Sequence, residues 1–176
     1  MAHSVDMGPV PLDDRFELVV PNPGHLDGLD ALLNDSAVAT WLGGRRTREA
    51  IAEAIERERG HWEQHGFGPW IVLDTATHTV IGRGGIRRAR VRDRDEVELF
   101  YAVAPSCWGR GIATALSRAA VDLGFQKALL DSIIAFTLES NLMSQRVSEK
   151  LGFTRETIFE HAGMPHVLFR LRKPRA

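Results

Sequence analysis

The sequence contains a single cysteine, Cys107, among its 176 residues, and it has no long run of apolar residues. One cysteine excludes an internal disulfide, and no set of Cys and His residues has the spacing of a zinc site. No apolar stretch approaches the roughly 20 residues that a membrane-spanning helix needs. Residues 1–10 lack the basic and apolar regions of a secretory leader. These absences predict a cytoplasmic protein with no bound metal and no membrane association.

Charge of neither sign is in excess, because 22 Lys and Arg residues stand against 23 Asp and Glu residues. This balance argues against a general nucleic-acid binder, although basic residues cluster between positions 83 and 94. The chain is 44% hydrophobic and 26% charged. These values are typical of a soluble globular domain, and the length fits a single one.

Residues 97–116 form the most informative stretch of the chain. Positions 97–103 are rich in β-branched and aromatic residues and contain no Gly or Pro, which predicts a buried strand that ends at Pro105. Gly109 and Gly111 follow, and from Ile112 onward good helix formers recur at helical spacing. The pattern predicts a unit of strand, glycine turn and helix.

Such a glycine turn has a chemical use. Glycines at the start of a helix let a ligand approach the backbone, and the unpaired first-turn amides favour a phosphate. Arg110 can add charge and Thr114 a hydroxyl donor. Two glycines also fit an ordinary tight turn. The next glycine is Gly124, so the spacing matches neither a dinucleotide fingerprint nor a P-loop.

The rest of the chain is predicted to alternate between helices and strands. The predicted strands cover 16–20, 70–73, 80–91, 97–103, 132–138, 153–159 and 166–171. The predicted helices cover 25–34, 47–64, a segment beginning at 112, and 141–151. Residues 36–44 are predicted as an irregular turn and residues 92–95 as the turn between two strands of an antiparallel meander. The order is β-α-α-β-β-β-α-β-α-β-β.

Two motifs carry a resemblance to a known family. The run Trp108-Gly109-Arg110-Gly111-Ile112-Ala113 resembles the pyrophosphate loop of the GCN5-related N-acetyltransferases (GNAT), and its Trp108 is shared with the branch of ribosomal-protein alanine N-acetyltransferases. Residues 141–153, with Asn141, Ser144 and a final Gly-Phe, resemble the family's later signature. Both motifs occur in the family's order and at a similar separation. The resemblance extends over nearly the whole chain.

The resemblance implies an α/β (α+β) fold in a single domain. We expect a mixed central sheet of about seven strands, with an antiparallel N-terminal meander and a splayed parallel pair flanked by helices. The domain is predicted to cover residues 13–174, preceded by an N-terminal tail of residues 1–12. The family also suggests a homodimer.

The resemblance further implies acetyl-CoA as the co-substrate. In the family, its pantetheine arm lies between the splayed strands and pairs with exposed backbone groups, as an added strand would. By position, the residues implied to contact it are Tyr101, Ala102, Val103, Trp108, Gly109, Arg110, Gly111, Ile112, Ala113, Thr114, Asn141 and Ser144. Asn141 also fits the N-cap of the following helix.

The implied reaction is direct attack of an amine on the thioester. It needs a group that removes the amine's proton, amides that meet the developing oxyanion, and a donor for the leaving thiolate. Many family members use a Tyr where this chain has Ser148, and some use a Glu where it has Phe136. Ser144 is then the donor implied by the ribosomal branch, and Glu98 is the remaining family-like carboxylate. Glu98 also fits a salt-bridged strand residue, and Tyr101 is expected to pack.

The implied acceptor is a small-molecule or peptide amine. The sequence defines the residues of its pocket less closely than those of the acetyl-CoA site. Trp41 and Phe67 are the candidate substrate-binding residues, since aromatic rings attract ammonium groups, although core packing explains such residues as well. Glu139, His161 and His166 are weaker catalytic candidates. Two further interpretations remain: a CoA-binding module without turnover, and a nucleotide-binding interaction protein that shares only the glycine turn.

Overall fold

A single mixed sheet of eight strands forms the centre of the part of the chain that the structure describes. The structure is a computed structural model that describes residues 8–174. The spatial order of the strands is β1-β2-β3-β4-β5-β6-β8-β7, and β5 and β6 are the parallel neighbours. Their bounds are Val10–Pro11 (β1), Phe16–Val19 (β2), Pro69–Asp74 (β3), Val80–Val91 (β4), Arg94–Val103 (β5), Ser132–Leu138 (β6), Thr154–His161 (β7) and Met164–Arg172 (β8). The predicted mixed α/β fold is confirmed.

Five α-helices in the described part of the chain connect and cover the strands. They are Leu26–Asn34 (α1), Ser36–Ala39 (α2), Arg48–His65 (α3), Ile112–Asp122 (α4) and Leu142–Lys150 (α5). A π-helical turn, Leu123–Lys127, continues α4. Among residues 8–174, no helix is both long enough and apolar enough to cross a bilayer.

Helices cover both faces of the sheet, and strand β3 shows how. Ile71 and Leu73 pack with apolar residues of α1 and α3 in one core cluster. Trp70 and Val72 point the other way and pack in a second cluster that also contains Leu116 of α4. Because side chains alternate along a strand, a strand between two helical layers is apolar at nearly every position.

The sheet has one strand more than the sequence predicts. Val10 and Pro11, assigned to the N-terminal tail, pair with Leu18 and Glu17 as a short edge strand. A two-residue strand that contains a proline shows no alternation of apolar and polar residues, so the pattern gives no sign of it. Of the predicted tail, residues 1–7 lie outside the described residues.

Two turns also differ from the prediction. Within the segment 36–44, predicted as irregular, α2 forms because the Asp35 side chain accepts hydrogen bonds from the amides of Ala37 (2.9 Å) and Val38 (3.4 Å). The β4–β5 turn is shorter than predicted, because only Arg92 and Asp93 lie between the strands. Both adopt positive φ, of 52° and 59°. Tight hairpin turns require this conformation and usually use Asn or Gly for it.

The parallel pair separates soon after it forms. Only Glu98 with Ile134 and Leu99 with Ala135 are paired across β5 and β6. On its other side β5 is paired with β4 as far as Val103, and β6 is paired with β8 over its whole length. Within residues 8–174, β5 therefore has no strand partner on its β6 side from Phe100 onward.

Asp74 ties the end of β3 to the start of β2, and its charge should stabilise the fold above about pH 4. Its carboxylate accepts from Arg15 Nε at 2.8 Å and from the Ala76 amide at 3.0 Å. The bond from Arg15 holds the pKa of Asp74 below its usual value. The carboxylate's contribution is therefore complete above the unfolded-state pKa, about 3.9, and is lost as the pH falls through the lower folded-state pKa.

We predict that Asp74→Asn lowers the melting temperature at pH 7 and that the difference from wild type closes on acidification below about pH 4. Thermal unfolding followed by circular dichroism across this range provides the measurement. Asp14→Asn, at an exposed neighbouring site, serves as the control and should change little. A deficit for Asp74→Asn that is independent of pH would contradict the assignment.

Candidate active site

A cavity of about 1130 Å³ occupies the opening between β5 and β6 and extends beneath α3. Its lining comes from α3, β4 and β5 on one side, from the loop before α4 and the start of α5 on another, and from the β7–β8 turn. The cavity thus joins the glycine turn to the interior face of α3. It is large enough to hold an extended ligand and a second small molecule.

The glycine turn forms one end of this cavity. Gly109 and Gly111 have φ of 73° and 79°, a conformation that favours glycine, and an added Cβ at either would meet no atom within 4 Å. Gly111 is the N-cap of α4, and no side chain caps this end. Ala115 is the first helical residue whose amide has a backbone acceptor, Gly111 O at 2.9 Å. The turn therefore presents unpaired amides and open space, which suit an anion.

Residues beside the turn hold it in place. The Trp108 indole donates from Nε1 to the carbonyl of Val103 at 2.7 Å, which fixes the loop on the end of β5. Cys107 is buried in the core. Arg110 does not line the cavity. Its guanidinium lies over the ring of Phe16, 5.4 Å from the centroid, so the predicted contact with a bound anion is not supported.

Tyr101 and Ser144 meet across the opening. The Tyr101 hydroxyl and Ser144 Oγ are 2.8 Å apart and share a hydrogen bond. Asn141 caps α5, with its Oδ1 accepting from the Ser144 amide at 3.1 Å. Tyr101 packs against the core as predicted, and its hydroxyl in addition has a defined polar partner. Burial raises the pKa of Tyr101, and the bond to Ser144 opposes this shift.

Glu98 lies at the point where the parallel strands separate. Its side chain lines the cavity but is largely buried, and Arg87 donates to its Oε2 from Nε (3.2 Å) and Nη2 (3.1 Å). Both bonds fall on one oxygen, so Oε1 has no hydrogen-bond partner among the described residues. The structure thus places Glu98 in an ion pair and leaves one carboxylate oxygen free.

Comparison with known proteins identifies the family. The family model of the acetyltransferase (GNAT) domain matches residues 15–154 of this chain. The chain belongs to the GNAT acetyltransferases. Uncharacterized protein YkkB of Bacillus subtilis (strain 168) is 29% identical over 121 residues, covering 69% of this chain and 70% of YkkB.

Solved structures share the GNAT fold. Ribosomal-protein-S5-alanine acetyltransferase of Vibrio fischeri matches with a TM-score of 0.79 at 18% identity, over 95% of this chain and 100% of that one. The aminoglycoside acetyltransferase AAC(6')-Ib, in complex with paromomycin and acetyl-CoA, matches with a TM-score of 0.74 at 23% identity, over 91% and 94%. At these identities both likenesses concern the fold, and they leave the acceptor of this GNAT chain open.

The α3 wall of the GNAT cavity contains a buried ion pair. Arg83 Nη2 donates to Glu58 Oε1, and both residues are less than 10% exposed. Burial raises the pKa of Glu58 and lowers that of Arg83, while their mutual attraction opposes both shifts. Arg83 Nε is buried without a partner among the described residues. Neither residue is singled out by a motif, because the pair joins a helix and a strand 25 positions apart.

The two aromatic candidates for the acceptor pocket differ in position. Trp41 is 40% exposed and lines the cavity. Phe67 is 2% exposed, belongs to the core and does not line the cavity, so the structure does not support its predicted contact with the substrate. Phe67 packs against His61 and His65 at ring-centroid distances of 5.1 and 5.8 Å, because the chain turns back at Gly66, the C-cap of α3.

A cluster of histidines and phenylalanines lines the opposite wall. The rings of His161 and His166 lie 5.2 Å apart, and Phe136 lies within 6 Å of both. His166 Nδ1 lies 3.0 Å from the carbonyl of Met164 and must donate to it, which leaves Nε2 as the acceptor of the neutral ring. Among residues 8–174, no group of three or more His, Cys, Asp or Glu is arranged to hold a metal ion.

We predict that Glu58→Gln lowers the free energy of unfolding by roughly 3–5 kcal/mol, because it leaves the Arg83 charge buried and uncompensated. The double variant Glu58→Met with Arg83→Met should recover most of this loss, since it removes both desolvated charges. Urea unfolding at neutral pH measures both.

Glu53→Gln is the control for this comparison. Glu53 forms an exposed ion pair with Arg57 at 3.9 Å, so its loss should cost less than about 1 kcal/mol. If the double variant were as unstable as Glu58→Gln alone, the buried charge would not be the cause.

Proposed function

We propose that this GNAT protein is an acetyl-CoA-dependent N-acetyltransferase that transfers the acetyl group to a primary amine by direct attack. The observation that carries the proposal is the separation of β5 and β6 beyond Leu99, which leads to the glycine turn at the start of α4. One continuous cavity joins these two features to the α3 wall. An extended thioester and an amine can therefore meet inside it.

The residues along the opening fit acetyl-CoA. The turn from Gly109 to Thr114 offers its amides to the pyrophosphate. On the free edge of β5, the backbone groups of Tyr101 and Val103 face the pantetheine arm, whereas those of Ala102 point towards β4. The Val103 carbonyl already accepts from Trp108, so its amide is the group left for pairing. Asn141 and Ser144 lie at the start of α5 on the far side. Bound acetyl-CoA supplies a thioester carbonyl and a thiolate leaving group.

Glu98 is the proposed acceptor of the amine's proton. Arg87 binds Oε2 and keeps the side chain in one orientation, and Oε1 is free to accept the proton directly or through a water molecule. Glu98 is also paired with Ile134 in the last section of parallel sheet before the opening. The amine would thus be deprotonated where the strands separate.

The Tyr101–Ser144 pair is the proposed donor to the leaving group. One hydroxyl of the pair donates to the other, so the terminal hydroxyl can donate outward and be reprotonated by its neighbour. Burial raises the pKa of Tyr101, so its hydroxyl stays protonated at neutral pH. Ser148, where many family members have tyrosine, is buried at the cavity wall, and the tyrosine on β5 reaches α5 from the opposite side.

Thermal unfolding with acetyl-CoA, CoA, ATP or NAD, followed by a thiol-release screen over amines, amino acids and N-terminal peptides, tests the function. We expect stabilisation by acetyl-CoA and CoA and thiol release with at least one amine. Stabilisation without release from any amine would indicate a CoA-binding module without turnover. Stabilisation by ATP alone would indicate a nucleotide-binding protein.

The glycine turn generates a prediction of its own. Gly111→Ala and Gly66→Ala place a side chain at φ of 79° and 70°, and each should cost about 1–2 kcal/mol of stability. Gly66 ends α3 away from the cavity and is the matched control. Only Gly111→Ala should lose the stabilisation by acetyl-CoA, because its Cβ occupies space next to the unpaired amides. Equal ligand-induced shifts in both variants would contradict the proposed anion site.

The Tyr101–Ser144 hydroxyl pair leads to a prediction about the rate of acetyl transfer. Tyr101→Phe and Ser144→Ala should each lower kcat by about 100-fold, and the double variant should lose no more, because each breaks the same proton path. The loss from Tyr101→Phe should be constant from about pH 6 to about pH 9, since the hydroxyl stays protonated there. Steady-state kinetics with saturating acetyl-CoA measure it.

Ser140→Ala, an exposed serine just before α5, is the control and should leave kcat unchanged. Multiplicative losses in the double variant would mean that the two hydroxyls act separately.

A further inference from the structure

The cavity carries an excess of positive charge. Among the described residues, its basic lining residues are Arg46, Arg57, Arg83, Arg87, Arg88, Arg146 and Lys150, and its acidic ones are Glu53, Glu58 and Glu98. Arg146 and Lys150 belong to α5. The other five basic residues and all three acidic ones lie on the α3 side, where the acceptor amine would bind.

Each carboxylate on the α3 side already faces an arginine. Glu58 pairs with Arg83, Glu98 pairs with Arg87 at 3.1 Å, and Glu53 lies 3.9 Å from Arg57. Arg46 has no carboxylate partner among the described residues, and its guanidinium donates to the carbonyl of Leu42 at 3.3 Å. This wall therefore has no unpaired negative charge to attract a polycation.

Arg83 is the centre of this basic group. It is 9% exposed, and Nη2 bonds to Glu58 while Nε has no partner. Burial lowers the pKa of Arg83, the charge of Glu58 opposes this, and the charges of Arg87, Arg46 and Arg57 lower it further. A buried guanidinium with an unused donor and cationic neighbours is a site that an anion stabilises.

The spacing within the group matches a small molecule. The guanidiniums of Arg83 and Arg87 lie over the same ring, 5.1 and 4.2 Å from the Phe100 centroid. Glu98, the proposed proton acceptor, is bonded to Arg87. Because both guanidiniums contact the same ring and Glu98 is bonded to Arg87, an anionic group at Arg83 and an amine at Glu98 can belong to one small molecule.

We propose that the acceptor amine carries a carboxylate that is bound by Arg83 together with Arg46. The planar fork of a guanidinium matches a carboxylate with two parallel hydrogen bonds. The acceptor is then an amino acid, or a peptide N-terminus with an adjacent acidic side chain, and polycationic amines are excluded by repulsion. This inference rests on the proposed acetyl transfer.

A binding experiment tests the carboxylate without turnover. N-acetyl-L-leucine and N-acetyl-L-leucinamide, and the corresponding pair from L-aspartate, differ only in the α-carboxylate. Calorimetric titration into the CoA-saturated protein should show the acid binding at least about 10-fold more tightly than the amide, the worth of one charge-assisted contact. Equal affinity of acid and amide would overturn the proposal, whether or not any amine is acetylated.

A turnover experiment separates the sources of the carboxylate. L-leucine, L-aspartate, peptides with Asp or Lys at the second position, and the polycation kanamycin are compared by kcat/KM. Preference for the free amino acids assigns a small-molecule acceptor, whereas preference for the Asp peptide assigns an acidic N-terminus. Fastest reaction with kanamycin or the Lys peptide would contradict the proposal. If none of the amines were acetylated, the proposed acetyl transfer would be refuted. The carboxylate site would still be tested independently by the binding experiment.

Variants of Arg46 and Arg83 test whether these residues bind the carboxylate. Arg46→Gln, at an exposed position, should reduce the acid-over-amide binding ratio by about 5-fold to 10-fold. The double variant Glu58→Met with Arg83→Met should abolish the preference for the acid over the amide. Because both charges are removed together, it leaves no unpaired charge buried in the wall. Arg90→Gln, on the same strand but outside the cavity, should leave the ratio unchanged. An unchanged ratio in the folded double variant, verified by its unfolding transition, would overturn the role of Arg83.

Discussion

The separation of β5 from β6 is the constraint on which the rest of the site depends. Two residue pairs join these strands, while β4 and β8 hold their outer edges along the full length. The inner edge of β5 is left with backbone groups that no strand satisfies, and unpaired groups of this kind are templates for an added strand. The same separation lets the Tyr101 hydroxyl reach Ser144 on α5, and it directs the chain through Trp108 and the glycines into α4.

Two kinds of electrostatics operate at the two ends of the cavity. At the glycine turn, the proposed attraction for an anion comes from unpaired backbone amides at the start of α4, and the Arg110 guanidinium lies over the Phe16 ring. At the α3 wall, the proposed attraction for an anion comes from side chains. Glu58 and Glu98 are each paired with an arginine, and the wall contains further basic side chains that are not matched by carboxylates. The amides of the glycine turn belong to the GNAT fold itself. The charged side chains of the α3 wall belong to residues on α3 and β4 that can vary without altering the sheet.

The extent to which the sequence predicts this site depends on how local each feature is. Gly109 and Gly111 are required by backbone conformation within one turn, so a short motif predicts them. The Tyr101–Ser144 bond joins residues 43 positions apart, and the register that brings them together depends on the separation of two strands. Phe67 illustrates the opposite failure: an aromatic residue beside a helix end is as compatible with the core as with a pocket, and packing decides. The β1 strand is missed and the β4–β5 turn is predicted too long, because neither contains the residues that usually mark the bounds of such elements.

The central claim is that the opening between β5 and β6 binds acetyl-CoA with its pyrophosphate on the α4 turn. The most direct measurement is an NMR titration of the ¹⁵N-labelled protein with CoA, followed through the backbone amides. We expect the largest shift changes at residues 109–114 and 100–103, with smaller changes at Asn141 and Ser144, and little change at the β1–β2 edge. Changes concentrated elsewhere, or none at saturating CoA, would contradict the account.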